Sequence, residues 1–190
     1  MLRSLALEER QVARIVSLSK DDMHRFSKVT CDSLNLLKGL GVEGDAHCGS
    51  TVKHRSRIKA NPDQPNLRQV HLISSELLLE LKQQGFSVKA GTLGENVLTQ
   101  GIELLSLPRD ALLSMGEKVV LRITGLRNPC AQLDNYQPGL MKACLDRDDA
   151  GTLVRKAGVM AVVEEGGSVY TNDSISVEYP PEPHEPLGRV

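Results

Sequence analysis

One cysteine that follows a predicted strand has the surroundings most suggestive of chemistry. The run "EKVVLRITGL" is apolar and β-branched, and Asn128-Pro129 must end it because Pro129 has no N–H to donate to a neighbouring strand. Cys130 therefore comes just after a strand end, where a scaffold presents side chains to ligands. A thiolate can be a nucleophile, a sulfur carrier or a soft-metal ligand, and a nearby cation such as Arg127 would favour it. The alternative is a passive loop cysteine.

The other three cysteines carry weaker signals. Cys144 falls on a predicted apolar helix face and Cys31 alternates with Val29, so both are interpreted as small core residues. Cys48 follows His47 in a glycine-rich turn, where a metal or redox role competes with a thiol without function. No CxxC pair is present, so neither a zinc ribbon nor a disulfide scaffold is indicated.

The segment "GVEGDAH" places two polar side chains among glycines. In an extended chain Asp45 and His47 point to the same face, so the carboxylate can orient the imidazole or both can hold a polar ligand group. We expect both to line one cavity with Cys130. Alternatively, Asp45 caps a structural turn.

Two further polar clusters could bind a ligand. The run "KHRSR" at residues 53–57 and Arg68 supply local positive charge, and arginine suits phosphate or carboxylate. A solvated loop face is the simpler interpretation of the run. The turn "GTLGENV", which contains Glu95 and Asn96, offers an amide and backbone N–H groups, although a hairpin connection would explain it equally well.

Composition excludes several classes of protein. The 190 residues suit one domain, and the 40% hydrophobic content is enough for a core. The net charge of -1 and the scarcity of aromatic residues argue against a nucleic-acid partner. No apolar run approaches the ~20 residues that span a bilayer, and no signal peptide is visible at residues 1–10, so we expect a cytoplasmic protein without a membrane partner.

The pattern of elements predicts a β-rich α+β fold, in which many short strands form a barrel with a few peripheral helices. A first strand is predicted at residues 12–19, a helix at residues 75–85 and further strands at 67–73, 94–100, 102–108, 117–126, 158–166 and 174–179. Residues 1–30 are expected to be an N-terminal extension contributing the first strand, and residues 31–179 the main domain. Residues 180–190 are proline-rich and predicted to be disordered.

The order of these segments resembles the MOSC family, the domain found at the C-terminus of molybdenum cofactor sulfurases. The resemblance rests on five runs: "GLGVEGDAHCG", "LRQVHLIS", "GTLGENVLTQGIEL", "ITGLRNPCAQL" and "RKAGVMAVVEEGGSVYTNDSISV". Asn172-Asp173 stands where family members often have Gly-Asp, and asparagine also tolerates left-handed φ. The resemblance implies a β-rich, barrel-like domain with peripheral helices.

The resemblance also implies a site. Cys130, with Arg127 before it, matches the cysteine of the family's R-x-P-C-like segment, and Asp45, His47, Arg68, Glu95 and Asn96 fall on motif positions. The implied cofactor is the molybdenum cofactor, a molybdenum-pyranopterin, with Cys130 as the metal ligand.

Three functions follow as hypotheses. The first is a molybdenum cofactor protein that reduces N-hydroxylated or similar N–O compounds, with electrons from a separate electron-transfer protein. The second is a sulfur carrier that receives a persulfide on Cys130 from a sulfur donor. The third is a thiol redox sensor that pairs Cys130 with Cys48 or Cys144.

Overall fold

The computed structural model describes residues 12–53 and 61–190, in which strands account for more residues than helices do. In chain order the strands are β1 (Arg14–Lys20), β2 (Val29–Cys31), β3 (Ser33–Leu37), β4 (Gly41–Val42), β5 (Val70–Ser74), β6 (Val97–Gln100), β7 (Leu112–Met115), β8 (Val119–Leu126), β9 (Leu145–Arg147), β10 (Leu153–Arg155), β11 (Val159–Glu165), β12 (Gly167–Tyr170) and β13 (Ile175–Glu178). The helices are α1 (Ser75–Gln83), α2 (Gln132–Tyr136) and α3 (Leu140–Ala143). The predicted β-rich α+β class is confirmed.

The main sheet has eight strands in the order β13-β7-β8-β11-β5-β6-β1-β2. Neighbouring strands are antiparallel except for β5 and β6. Two small sheets, β12-β3-β4 and β10-β9, lie outside it.

The main sheet does not close into a barrel, so this part of the prediction is wrong. Among the described residues, the β13 end of the sheet approaches β1 only near residues 13–15 and 172–175, through an isolated bridge between Arg14 and Ser174 and a few backbone hydrogen bonds. The reason is that β2 pairs with residues 18–20 of β1 and occupies that part of the strand's edge.

The helix predicted at residues 75–85 is α1, and it forms the crossover between the parallel strands β5 and β6. Ser74 caps the helix, since its Oγ accepts a hydrogen bond from the Leu77 backbone N–H. Leu77, Leu78 and Leu81 are buried, as the apolar spacing predicts.

Two hydrophobic clusters cover the two faces of the central strands. Three alternate residues of β8 belong to the larger cluster on one face of the sheet, namely Val119, Leu121 and Ile123. The smaller cluster lies under α1 and includes Ile73 of β5, whose neighbour Leu72 faces the larger cluster. Among the described residues no helix is both long and apolar enough to cross a membrane.

Two further segments differ from prediction. Residues 102–108, predicted as a strand, contain a 3₁₀ turn at Leu104–Ser106, which lets Ile102, Leu104 and Leu107 all be buried. Residues 185–190 lie along β8 instead of being disordered, because backbone hydrogen bonds join them to Leu126 and Arg109.

Candidate functional site

A cavity of about 1030 Å³ lies where the loops after β1, β4 and β8 converge, and Cys130 is in its wall. Strand β8 ends at Leu126, and Pro129 stands between that end and the cysteine, which is the position that the sequence predicts. Cys130 is half-buried, and its Sγ lies 3.5 Å from Oε1 of Gln132. The thiol is therefore open to a ligand that enters the cavity.

The lining of this cavity is cationic. Six lysine and arginine side chains contribute to it, namely Arg25, Lys28, Lys53, Arg68, Arg127 and Arg189. No aspartate or glutamate side chain in residues 12–53 and 61–190 lines it. Because the net charge of the chain is only -1, this is a local concentration of positive charge, and it favours an anionic ligand.

Arg127 is the most deeply buried of these cations, with 9% of its surface exposed. Its Nη1 has no hydrogen-bond partner among the described residues. Burial lowers the pKa of the Arg127 guanidinium, and the nearby Cys130, Cys144 and Glu95 oppose that shift. A buried donor without an acceptor destabilises a protein by about 1–3 kcal/mol, so a ligand oxygen is the natural partner for this nitrogen.

Asp45 does not line the cavity, contrary to prediction, but lies buried behind its wall. Its Oδ2 accepts hydrogen bonds from Lys28 Nζ at 2.5 Å, Asn96 Nδ2 at 3.0 Å and the Asp21 backbone N–H at 3.3 Å. Its Oδ1 accepts from the His47 backbone N–H at 2.9 Å and from His47 Nδ1 at 3.1 Å. The carboxylate is thus saturated by the protein.

The network around Asp45 orients two side chains that do line the cavity, Lys28 and His47. Burial by itself would raise the pKa of Asp45, but the hydrogen bond from His47 and the charge of Lys28 outweigh burial and hold it well below its usual range. Since Nδ1 of His47 faces Asp45, its other ring nitrogen is left for other partners. The predicted orienting role of Asp45 therefore matches the geometry, whereas direct ligand contact does not.

Glu95 and Asn96, predicted as ligand contacts, also lie behind the wall. The Glu95 carboxylate accepts from the backbone N–H groups of Gly91 and Leu93. Asn96 donates to Asp45 and accepts from the backbone N–H of His71 at 3.1 Å. Both side chains shape the structure around the cavity.

The glycines of the 91–97 turn have a separate role. At Gly91, where φ is +79°, an added Cβ would lie 2.3 Å from the carbonyl oxygen of Lys28. The Lys28 backbone N–H donates to Gly91 O at 2.8 Å. Only a glycine permits this approach, and the approach seats the loop that carries Lys28 in the cavity wall.

Arg68 lines the cavity, and so does Lys53 of the "KHRSR" run; residues 54–57 of that run lie outside the described residues. His71 also lines the cavity, and its Nε2 lies 2.8 Å from Ala157 O. Burial, and secondarily the charge of Arg127, lower the pKa of His71 well below its usual value. This imidazole is therefore neutral at pH 7.

Sequence reasoning missed Lys28 and His24, which line the cavity from the loop between β1 and β2. The rings of His24 and His47 meet edge to face, with centroids 5.1 Å apart. In the sequence this loop, "DDMHRFSK", is a charged run without a motif, and a solvated loop has the same composition. The run of charged residues between two strands is the sequence feature that could have indicated Lys28 and His24 as cavity residues.

The remaining cysteines lie outside the cavity lining. Cys144 is fully buried, as predicted, and burial raises its pKa to about 11. Cys31 is half-buried instead of belonging fully to the core, and its Sγ donates to Ser33 O at 3.2 Å. Burial, followed by the charges of Asp45 and Glu43, raises the pKa of Cys48. A raised pKa disfavours the reactive thiolate.

Comparison with known proteins identifies the family and the fold. The model of the MOSC domain matches residues 48–176. YuaD of Bacillus subtilis (strain 168), named as a candidate for metal-sulfur cluster biosynthesis, is 30% identical over 183 residues, which cover 89% of this chain and 92% of YuaD. The crystal structure of YuaD superposes with a TM-score of 0.73 at 27% identity, covering 90% of this chain and 97% of that one.

The fold extends to more distant proteins. The crystal structure of YiiM from Geobacillus stearothermophilus has a TM-score of 0.60 at 17% identity and covers 87% of this chain and 75% of that one. YiiM from Escherichia coli has a TM-score of 0.56 at 20% identity, covering 90% and 73%. The family match spans most of the chain and includes the loop that carries Cys130. This chain therefore belongs to the MOSC domain family.

Proposed function

We propose that this protein binds the molybdenum cofactor in the cationic cavity, with the thiolate of Cys130 as a ligand of the metal. The observation that carries the proposal is the unpartnered Nη1 of Arg127, which is buried in the same cavity wall as Cys130. The cofactor is an anion with a phosphate group, and its metal prefers soft ligands. The buried guanidinium of Arg127 suits the phosphate, and the thiol of Cys130 suits the metal.

The donor set fits the group. Arginine binds phosphate through its planar fork of N–H groups, and Arg127 and Arg68 both line the cavity. Lys28 adds a point charge, held in place by Asp45. No aspartate or glutamate side chain in the described part of the lining repels an anion there.

Six of the residues that line the cavity are assigned a part in the proposed function. Arg127, Arg68 and Lys28 bind and orient the phosphate-bearing end, and Cys130 holds the metal. His47, oriented by Asp45, can hold or release a proton at the ring nitrogen that does not face the carboxylate. The neutral His71 keeps its wall of the cavity ordered through its contact with Ala157 O.

When bound, the molybdenum supplies two-electron redox chemistry, which suits the reduction of N-hydroxylated compounds. Reduction of an N–OH group to N–H and water consumes two electrons and two protons. We propose that the electrons come from a separate electron-transfer protein. The protons reach the cavity from solvent through titratable groups such as His47.

Co-expression with the enzymes of cofactor biosynthesis tests this proposal. Wild-type protein should carry molybdenum, measured by mass spectrometry of the metal, and a pterin, measured by fluorescence after oxidative release. Cys130→Ser should lose the molybdenum, because a hard hydroxyl is a poor partner for it. Cys31→Ser is the matched control, since a serine there can still donate to Ser33 O. Full molybdenum loading of Cys130→Ser would contradict the proposal.

A second function, a sulfur carrier, is favoured by the half-exposed position of Cys130 and by the name of YuaD, which refers to metal-sulfur cluster biosynthesis. Here the Cys130 thiolate attacks the outer sulfur of a donor persulfide. The new S–S bond forms on Cys130, the donor's S–S bond breaks, and the donor thiol leaves. Arg127 would stabilise the anionic persulfide.

The two functions differ in what Cys130 holds, which is molybdenum in the first and a sulfur atom in the second. A carrier should show a mass increase of one sulfur atom on Cys130 after incubation with a persulfide donor, reversed by dithiothreitol, and no molybdenum. A redox sensor, the third hypothesis, should show a disulfide between Cys130 and Cys48 or Cys144. The raised pKa values of Cys48 and Cys144 make that exchange slow.

A further inference from the structure

Arg189 and Val190, in the segment 185–190 that lies along β8, form part of the cavity wall. The Leu126 backbone N–H donates to Gly188 O at 2.7 Å, and Val190 N–H donates to Leu126 O at 3.3 Å. These bonds set Arg189 beside Leu126 as a parallel bridge. Leu187 packs against the larger hydrophobic cluster. Backbone pairing and apolar contact therefore both hold the segment on β8.

A glycine in β8 makes this pairing possible. An added Cβ at Gly125 would lie 2.1 Å from Val190 Cγ1 and 2.5 Å from Gly188 O. Glycine inside a strand weakens the strand, so its presence here is explained by the close approach of another segment. Any larger side chain at position 125 would displace residues 188–190.

The pairing places one more cation at the cavity. Arg189 lines the same cavity as Arg127 and Cys130, which come directly after the strand end that the segment covers. Arg189 is exposed, and within residues 12–53 and 61–190 it forms no ion pair with an aspartate or glutamate. Its charge is therefore available to a ligand at the mouth of the cavity.

We propose that Arg189 is an anion-binding residue of this cavity, delivered to it by the pairing of residues 185–190 with β8. The inference rests on the proposed function only in that both require an anion in the cavity. It follows that anion binding and docking of residues 185–190 strengthen each other, since a ligand that contacts the docked segment stabilises the docked state.

Inorganic pyrophosphate is the probe, applied to protein purified without co-expressed cofactor biosynthesis. Isothermal titration should show binding by the wild type, and Arg189→Gln should weaken it about tenfold, the loss of one charge-assisted contact. Hydrogen exchange followed by mass spectrometry should show that pyrophosphate protects residues 185–190 in the wild type but not in Arg189→Gln. Arg147→Gln is the matched control, because Arg147 is exposed and lies outside the cavity lining.

Gly125→Val tests the delivery of Arg189. It should speed exchange of residues 185–190 and weaken pyrophosphate binding as much as Arg189→Gln does. The double variant should bind no more weakly than either single one, because both remove the same contact. If Gly125→Val does not fold, Arg189→Gln decides alone, since it alters only an exposed side chain.

Wild-type protein that does not bind pyrophosphate would overturn the inference, as would unchanged binding by Arg189→Gln. Neither result depends on molybdenum. Failure of the proposed function appears separately, as molybdenum loading that does not need Cys130.

Discussion

The loops after β4 and β8 each bury one charged group beside the cavity, and the two groups differ in how fully they are hydrogen-bonded. Asp45, after β4, receives hydrogen bonds on both oxygens from Lys28, His47, Asn96 and a backbone N–H. Arg127, after β8, keeps a buried Nη1 without a partner. A carboxylate that the protein saturates supports structure, whereas a guanidinium left unsaturated is available to a ligand.

Removing the saturated charge should have the largest effect on stability. Asp45→Asn leaves the Lys28 ammonium buried without its counter-charge, and we expect a loss of about 3–5 kcal/mol in the free energy of unfolding, measured with urea. Asp149→Asn, at an exposed position, should change it by less than about 0.5 kcal/mol. Adding Lys28→Met to Asp45→Asn should recover part of the loss. Equal stability of the two single variants would contradict the structural role of Asp45.

Two cysteines also have different surroundings, because Cys144 lies in the smaller hydrophobic cluster under α1 and Cys130 faces the cavity. Cys144→Ser buries a hydroxyl and should lower the free energy of unfolding by about 1–3 kcal/mol if the hydroxyl finds no partner. Cys130→Ser, at a half-buried site, should cost less than about 0.5 kcal/mol. Thermal and urea unfolding of both variants measure the difference, and the reverse order would show that Cys130 is structural.

The acid dependence of stability separates His71 from Asp45. The pKa of His71 is lowered in the folded state, so below about pH 6.5 the unfolded chain binds the proton and the folded chain does not. Stability is complete above that pH and should fall by up to about 1.4 kcal/mol per pH unit as the pH drops toward the folded pKa. The pKa of Asp45 is also lowered, so its contribution is lost only below about pH 4.

Urea unfolding at a series of pH values tests this order. His71→Gln should flatten the slope below about pH 6.5, because the variant has no imidazole to protonate. Arg127 and Lys28, the cations that act on His71, are unchanged in that variant. The same slope in wild type and His71→Gln would show that other groups control acid stability.

Removing the unsaturated charge is expected to have a much smaller effect than removing the saturated one. Arg127→Met should change the free energy of unfolding by no more than about 1 kcal/mol, or increase it, because an apolar side chain replaces a buried donor that lacks an acceptor. Alkylation of Cys130 by iodoacetamide at pH 7 should slow, since the thiolate loses a nearby cation. Arg147→Met is the control for both measurements. A loss as large as that of Asp45→Asn would place Arg127 among the structural residues.

Local patterns in the sequence were sufficient for the elements that carry the site. Strand β8 and its end before Cys130 follow from β-branched residues and a proline, and α1 follows from a serine cap and leucine spacing. These features depend on residues close together in the chain. Cys130, Arg127, His47 and Arg68, which the sequence singles out as candidates, all line the cavity.

Tertiary contacts decided the rest. The partners of Asp45 come from the loop after β1 and the turn before β6, so its place behind the wall could not be read from "GVEGDAH". The docking of residues 185–190 depends on the missing side chain of Gly125, which in the sequence is only a glycine in a strand. The sheet stays open because β2 covers part of the edge of β1. Each of these outcomes depends on contacts between segments far apart in the chain, which local propensity does not encode.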